Sequence, residues 1–103
     1  MASTPESKVK KKVVEILKAF GVYYFYPVTG GYGASGVPDI ICCCEGLFLA
    51  FECKAGNGKT TALQEMNIKR IRDNGGVALV INENNTHEVK DLMEKINVRN
   101  NRT

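Results

Sequence analysis

No apolar run in this chain approaches the roughly 18 residues needed to span a bilayer, and the N-terminus lacks the apolar core of a secretion signal. The expected setting is the cytoplasm, with no membrane partner. Internal repeats and low-complexity tracts are missing too, and 103 residues are too few for two domains. One domain over residues 1–103 is expected, with a polar tail from residue 97 that carries Arg99 and Arg102 and frays. Strong charge of either sign is absent: 14 Lys and Arg against 11 Asp and Glu leave a formal +3. That balance permits a polyanionic partner without requiring one.

Further absences remove whole mechanisms. Gly58-Lys59-Thr60 looks like the end of a phosphate-binding P-loop, but the first glycine of that pattern would fall at residue 53, which is Cys53. No nucleotide cofactor is therefore expected. The four cysteines lack metal-site spacing: Cys42, Cys43 and Cys44 are consecutive in a strand and Cys53 lies in the next. Neighbouring strand residues point to opposite faces, so these sulfurs cannot converge as a Cys-x-x-Cys knuckle does. They read as reduced thiols used as small hydrophobes. Histidine is reduced to His87, placed in the first turn of the last predicted helix and assigned to the surface.

What is present centres on Gly36 to Lys54, two apolar β-runs joined by Glu45-Gly46. A two-residue hairpin loop at that dipeptide makes Cys44 face Leu47 and, counting outward, Asp39 face Glu52. Opposed like charges destabilise a sheet, so a compensating group is expected. Lys54 supplies it, because the period of two returns it to the face of Glu52. Two acids and an amine on one face form a cage for a divalent metal and a phosphate. The same register puts Cys42, Cys44 and Cys53 with Ile40, Leu47, Leu49 and Phe51 on the opposite face. Both faces are apolar, which predicts cover on both sides.

The rest of the chain frames this hairpin. Ser3-Thr4-Pro5-Glu6 starts a helix, Val9, Val13, Ile16, Leu17 and Phe20 follow helical spacing, and Gly21 stops it. Lys8, Lys10, Lys11 and Lys12 along it are either a solvated face or a phosphate-contacting rim. Val22 to Tyr26 is a short aromatic β-run, for packing or for stacking on bases. Residues 29–37 form a glycine-rich loop that turns tightly or brings backbone close to a ligand. After Lys54 a loop leads to a helix carrying Leu63, Met66, Ile68 and Ile71, where Thr61 and Gln64 have capping-box spacing. Val77 to Ile81 is a strand reached through that helix, which implies parallel pairing and a right-handed crossover. Thr86 is expected to cap a last helix striped by Val89, Leu92, Met93 and Ile96. The order is αβββαβα.

Pro38-Asp39 followed by Glu52-Cys53-Lys54 matches the Pro-Asp…(Asp/Glu)-x-Lys signature, and the chain resembles the restriction-endonuclease-like superfamily. More closely, it is similar to a stand-alone VRR-NUC domain: an early helix with Glu6, a glycine loop, Gly36-x-Pro38-Asp39, Glu52-x-Lys54, and Gln64 on the next helix. The resemblance implies an α/β fold, a mixed central β-sheet flanked by helices on both faces. It implies a magnesium- or manganese-dependent endonuclease that hydrolyses DNA phosphodiester bonds, selective for four-way junctions or other branched DNA and acting as a homodimer. Under it, Asp39, Glu52 and the backbone carbonyl of Cys53 ligate the metal, and Glu6 reaches it directly or through water. Lys54 orients or deprotonates the attacking water, and Gln64 positions Lys54 or the phosphate. Glu15, on the same helix as Glu6, falls about half a turn away from that face. DNA contacts are expected at Lys8, Lys11, Lys12 and Lys59, with Gly33 and Ser35 of the glycine loop. The alternative is a module of the same fold that binds nucleic acid without cutting it.

Overall fold

The structure, a computed structural model, describes residues 4–28, 36–96 and 98. Within them the elements are α1 (Pro5–Ala19), β1 (Tyr23–Phe25), β2 (Ile40–Cys44), β3 (Leu47–Cys53), α2 (Ala62–Asp73), β4 (Val77–Ile81) and α3 (His87–Lys95), the expected order. α1 begins where the Thr4 hydroxyl accepts the Ser7 N–H at 3.0 Å, with Pro5 at the first position and Glu6 at the positive end of the dipole. Its stripe of Val9, Val13, Val14 and Leu17 is buried.

Glu45 and Gly46 both have positive φ, 50° and 80°, the pattern of the tight turn whose twist matches a hairpin. That turn sets the β2–β3 register, with Cys44 opposite Leu47, Cys42 opposite Leu49 and Ile40 opposite Phe51, as expected. β1 adds antiparallel to the outer edge of β2, and β4 pairs parallel with β3, giving the order β1-β2-β3-β4. Cys53 lies beside Ile81 in that parallel ladder, and the Lys54 N–H continues it to the Ile81 carbonyl at 2.9 Å.

Alternation along the strands sorts the core into two layers. Ile40, Cys42, Cys44, Leu49, Phe51, Cys53 and Ile81 pack with α1 and α3 through Val13, Leu17, Val89 and Met93. The other face holds a smaller cluster of Ile41, Ala50, Ile68 and Ala78, with Ile71 and Val80 beside it, under α2. None of the four cysteines is in a disulfide; Cys43 is exposed and the other three are buried in the first layer.

Several expectations change. Cover on the α2 side is partial: Tyr23, Phe25 and Phe48 are about half exposed or more, because one helix over β3 and β4 cannot reach the hairpin's outer edge. Leu63 and Met66 also face outward, since the inward line of α2 runs through Gln64, Ile68 and Ile71. Thr86 holds the N-cap position of α3 as expected, but its side chain makes no capping bond. Asn85 organises that turn instead: its Nδ2 donates to the Val80 carbonyl and to Glu88, and its Oδ1 accepts the Asn82 N–H at 2.6 Å. Val98, within the expected tail, is buried against the first layer and donates its N–H to the Met93 carbonyl. The rest of that tail lies outside the described residues. Among the described residues, no helix is long and apolar enough to cross a membrane.

Candidate active site

Three elements converge on the α2 side, at the start of β2 and the end of β3. Gly36 (φ +77°) lies so close to the first turn of α2 that an added Cβ would stand 2.7 Å from the Leu63 carbonyl carbon and 2.9 Å from the Gln64 nitrogen. Only glycine permits both that dihedral and that approach. The contact seats the segment leading to Asp39 against the helix that carries Gln64.

The β2–β3 ladder closes at Ile40 and Phe51, and Asp39 sits in a bend just beyond it rather than in a paired position. Its side chain continues the ladder: Asp39 Oδ2 accepts the Cys53 N–H at 2.8 Å. Glu52 is 3% exposed, the one buried charged residue among those described. Its Oε2 accepts from Gln64 Nε2 at 3.0 Å and lies 3.6 Å from Lys54 Nζ. Lys54 is itself mostly covered, its side chain 15% exposed. The expected meeting of two acids and an amine on one face is therefore present.

Gln64 makes the capping box that its spacing with Thr61 suggests, and it also bonds Glu52. Its Oε1 accepts the Thr61 N–H at 2.9 Å and its own N–H donates to Thr61 Oγ1 at 3.2 Å, closing the capping box. The remaining amide nitrogen is thereby aimed at Glu52. One side chain starts α2 and fixes the rotamer of the buried acid.

The electrostatics follow from crowding. Burial first, then the charge of Asp39, push the Glu52 carboxyl up from 4.5 to about 7; Lys54 pulls it down, and a hydrogen bond with Asp39 raises it. Two carboxylates this close resist ionising together. Burial also drives Cys53 up to about 12, with Asp39 and Glu52 adding to it, Lys10 opposing and Glu6 adding least. Glu6 and Lys10 thus lie near enough to be felt at the end of β3.

Glu6 is exposed in the first turn of α1 and makes no described hydrogen bond or ion pair with Asp39 or Glu52. Lys8 and Lys12 line a cavity of about 360 Å³ with Pro5, Val9, Glu83 and Thr86, whereas Lys11 and Lys59 are exposed outside it. Gly33 and Ser35 lie outside the described residues. Lys10 stands 4.5 Å over the Tyr26 ring. Among the described residues, no three His, Cys, Asp or Glu side chains gather into a metal-binding group. The donor set at the site is two carboxylates with backbone oxygens nearby. Such a set suits a hard cation that keeps waters and takes one or two carboxylates plus a substrate phosphate. A cavity of about 450 Å³ beside Phe48, Asn67, Arg70 and Ile71 lies along the open part of this face, away from the acids.

One contact at the site has no counterpart in the sequence reading. Both oxygens of Glu83 accept the Gly56 N–H, at 2.9 and 3.0 Å. The signal for it lies in the β3–β4 register, since Glu83 sits two residues past Ile81, the partner of Cys53.

No protein-family model matches the chain, and no curated protein matches it. Among solved structures it is similar to one described as a VRR_NUC domain protein, at 19% identity and a TM-score of 0.69, over 96% of this chain and 93% of that one. A likeness at that identity establishes the fold, a mixed sheet of four strands with three helices.

Proposed function

We propose that the chain is a metal-dependent endonuclease that hydrolyses DNA phosphodiester bonds. The observation that carries this reading is the contact of buried Glu52 with Asp39, Lys54 and Gln64 at one end of the sheet. A buried acid beside a second carboxylate and an amine is a costly arrangement for a fold alone, and a perturbed acid of this kind is a mark of functional sites. The VRR-NUC resemblance of the motif and the likeness of fold to a VRR_NUC domain protein support it from separate directions.

Asp39 and Glu52 would hold magnesium or manganese through their carboxylates. In extended backbone a residue's N–H and C=O leave the strand on the same edge, so the Cys53 carbonyl is turned, like its N–H, towards Asp39. A cation bound there would offset charge on the scissile phosphate and lower the pKa of an attacking water. Lys54 would orient that water or take its proton, and Gln64 would keep Glu52 in place. Glu6 would act through water, given its exposure at the helix start. Lys8, Lys11, Lys12 and Lys59, with Gly33 and Ser35, would contact the DNA backbone.

Branched DNA as substrate and a homodimer as the acting form belong to the same proposal. The exposed Tyr23, Phe25 and Phe48 supply apolar surface that a second copy would cover. A single domain accounts for residues 1–103 under this reading.

The test is cleavage of labelled four-way junction, flap and duplex DNA with magnesium or manganese, beside Asp39→Ala and Lys54→Ala. The wild type should cut a branched substrate and both variants should lose the activity. Equal cleavage by all three would assign it to a contaminant, and binding that survives chelation with no product under any metal would leave a DNA-binding module.

A further inference from the structure

We propose that Glu83 is a positioning residue for Lys54, acting through the Gly56 amide; this rests on the nuclease reading of the site. The end of β3 is held on both edges. Towards β2 the Asp39 carboxylate accepts the Cys53 N–H at 2.8 Å, and towards β4 the Ile81 carbonyl accepts the Lys54 N–H at 2.9 Å. Beyond Lys54 the backbone ladder has run out, and Glu83 takes over by receiving the Gly56 N–H on both carboxylate oxygens at 2.9 and 3.0 Å. Its side chain is one more rung of the parallel pair, placed where β3 has already left the sheet.

The consequence falls on Lys54. Its amine must stay beside Glu52, from which it stands 3.6 Å away, on a backbone with a glycine-containing loop immediately after it. A charged acceptor makes a stronger bond to an amide than a neutral one does. Released from Glu83, residues 55 and 56 would be tied to β4 by nothing described, and the last amide bonded to β4 would be that of Lys54 itself. Glu83 also lines the cavity that holds Lys8 and Lys12, so it stands between the catalytic strand and the lysines of α1. Its contact with Gly56 is exposed, so removing it leaves a solvated amide rather than a hole in the core.

The experiment pairs Glu83→Ala and Glu83→Gln, each in wild-type and Lys54→Ala backgrounds. Single-turnover cleavage of saturating branched DNA with magnesium is measured beside DNA affinity and amide hydrogen exchange in the metal-free protein. Glu83→Ala should slow cleavage about tenfold, with affinity within about twofold. Glu83→Gln, which keeps an acceptor oxygen, should recover most of the rate. In the Lys54→Ala background the further loss should disappear, the sign that the two residues act as one unit. Exchange at the Gly56 and Lys54 amides should accelerate in Glu83→Ala while Ala50 and Phe51 stay protected. A rate loss that persists in the Lys54→Ala background, a loss confined to affinity, or unchanged exchange would overturn the assignment. If the wild type itself cuts nothing, the nuclease reading fails and this role with it. If the wild type cuts and Glu83→Ala cuts equally well, only the role of Glu83 fails.

Discussion

The two faces of the hairpin are made of the same two strands, yet one is a dry core and the other carries the candidate site. Towards α1 and α3, Ile40, Cys42, Cys44, Leu49, Phe51 and Cys53 are buried among Val13, Leu17, Val89 and Met93. Towards α2, the apolar cluster is small, Phe48 and Cys43 are exposed, and the line ends in Asp39, Glu52 and Lys54. The contrast teaches a division of labour. One face supplies the burial that holds the fold, and this allows the other to keep an acid whose ionisation the interior resists.

Substitutions should separate these functions. The largest effect is expected on the α2 side: Asp39→Ala, Glu52→Gln or Lys54→Ala should each lower metal-dependent cleavage about 100- to 1,000-fold, measured in single turnovers. Glu52→Gln should at the same time leave the metal-free protein more stable at pH 8, by roughly 1–3 kcal/mol in urea unfolding. On the dry face the pattern inverts. Phe51→Ala should cost about 3–5 kcal/mol of stability, while Phe48→Ala, on the open face of the same strand, should cost under about 1 kcal/mol. Equal costs for the two phenylalanines would break the comparison.

The pH dependence sharpens it further. Between 4.5 and about 7 the folded chain keeps a proton on Glu52 that the unfolded chain has released. The native state then binds more protons, so this group's contribution lowers stability as pH rises through that window and is level above it. Unfolding at a series of pH values should show that decline in the wild type and a flatter profile in Glu52→Gln. A divalent cation requires the ionised carboxylate, so its affinity should rise with pH across the same window, as titration with manganese would read.

The smallest effect concerns thiol chemistry. Cys43 faces solvent, whereas burial first, then the neighbouring Cys44, raises Cys42 to about 12, and burial above all does the same for Cys53. A thiol reagent followed by mass spectrometry should label Cys43 alone in the native protein, with Cys42, Cys44 and Cys53 reacting only after unfolding. Early labelling of Cys53 would mean that the two faces are less distinct than the packing indicates.

Much of this was legible from local rules. The Glu45-Gly46 turn and the period of two were enough to place Asp39, Glu52 and Lys54 on one face and three cysteines on the other. Capping chemistry located the starts of α1 and α2. What local rules left out came from how the elements meet. Thr86 is the N-cap of α3 as its position suggests, but its side chain makes no capping bond, and the neighbouring Asn85 ties the turn to the Val80 carbonyl. Of the apolar residues expected on α2, docking covers Ile68 and Ile71, leaves Leu63 and Met66 about half exposed, and brings Gln64 to Glu52.

By itself the sequence determined the hairpin, its register and hence which side chains share a face, because a tight turn and strict alternation act over neighbouring residues. Only the tertiary structure decided what meets the acids. Gln64 reaches Glu52 because α2 docks on Gly36, and Glu83 reaches Gly56 because β4 lies parallel to β3. Those approaches depend on how whole elements pack, and no periodicity along the chain encodes the distance between them.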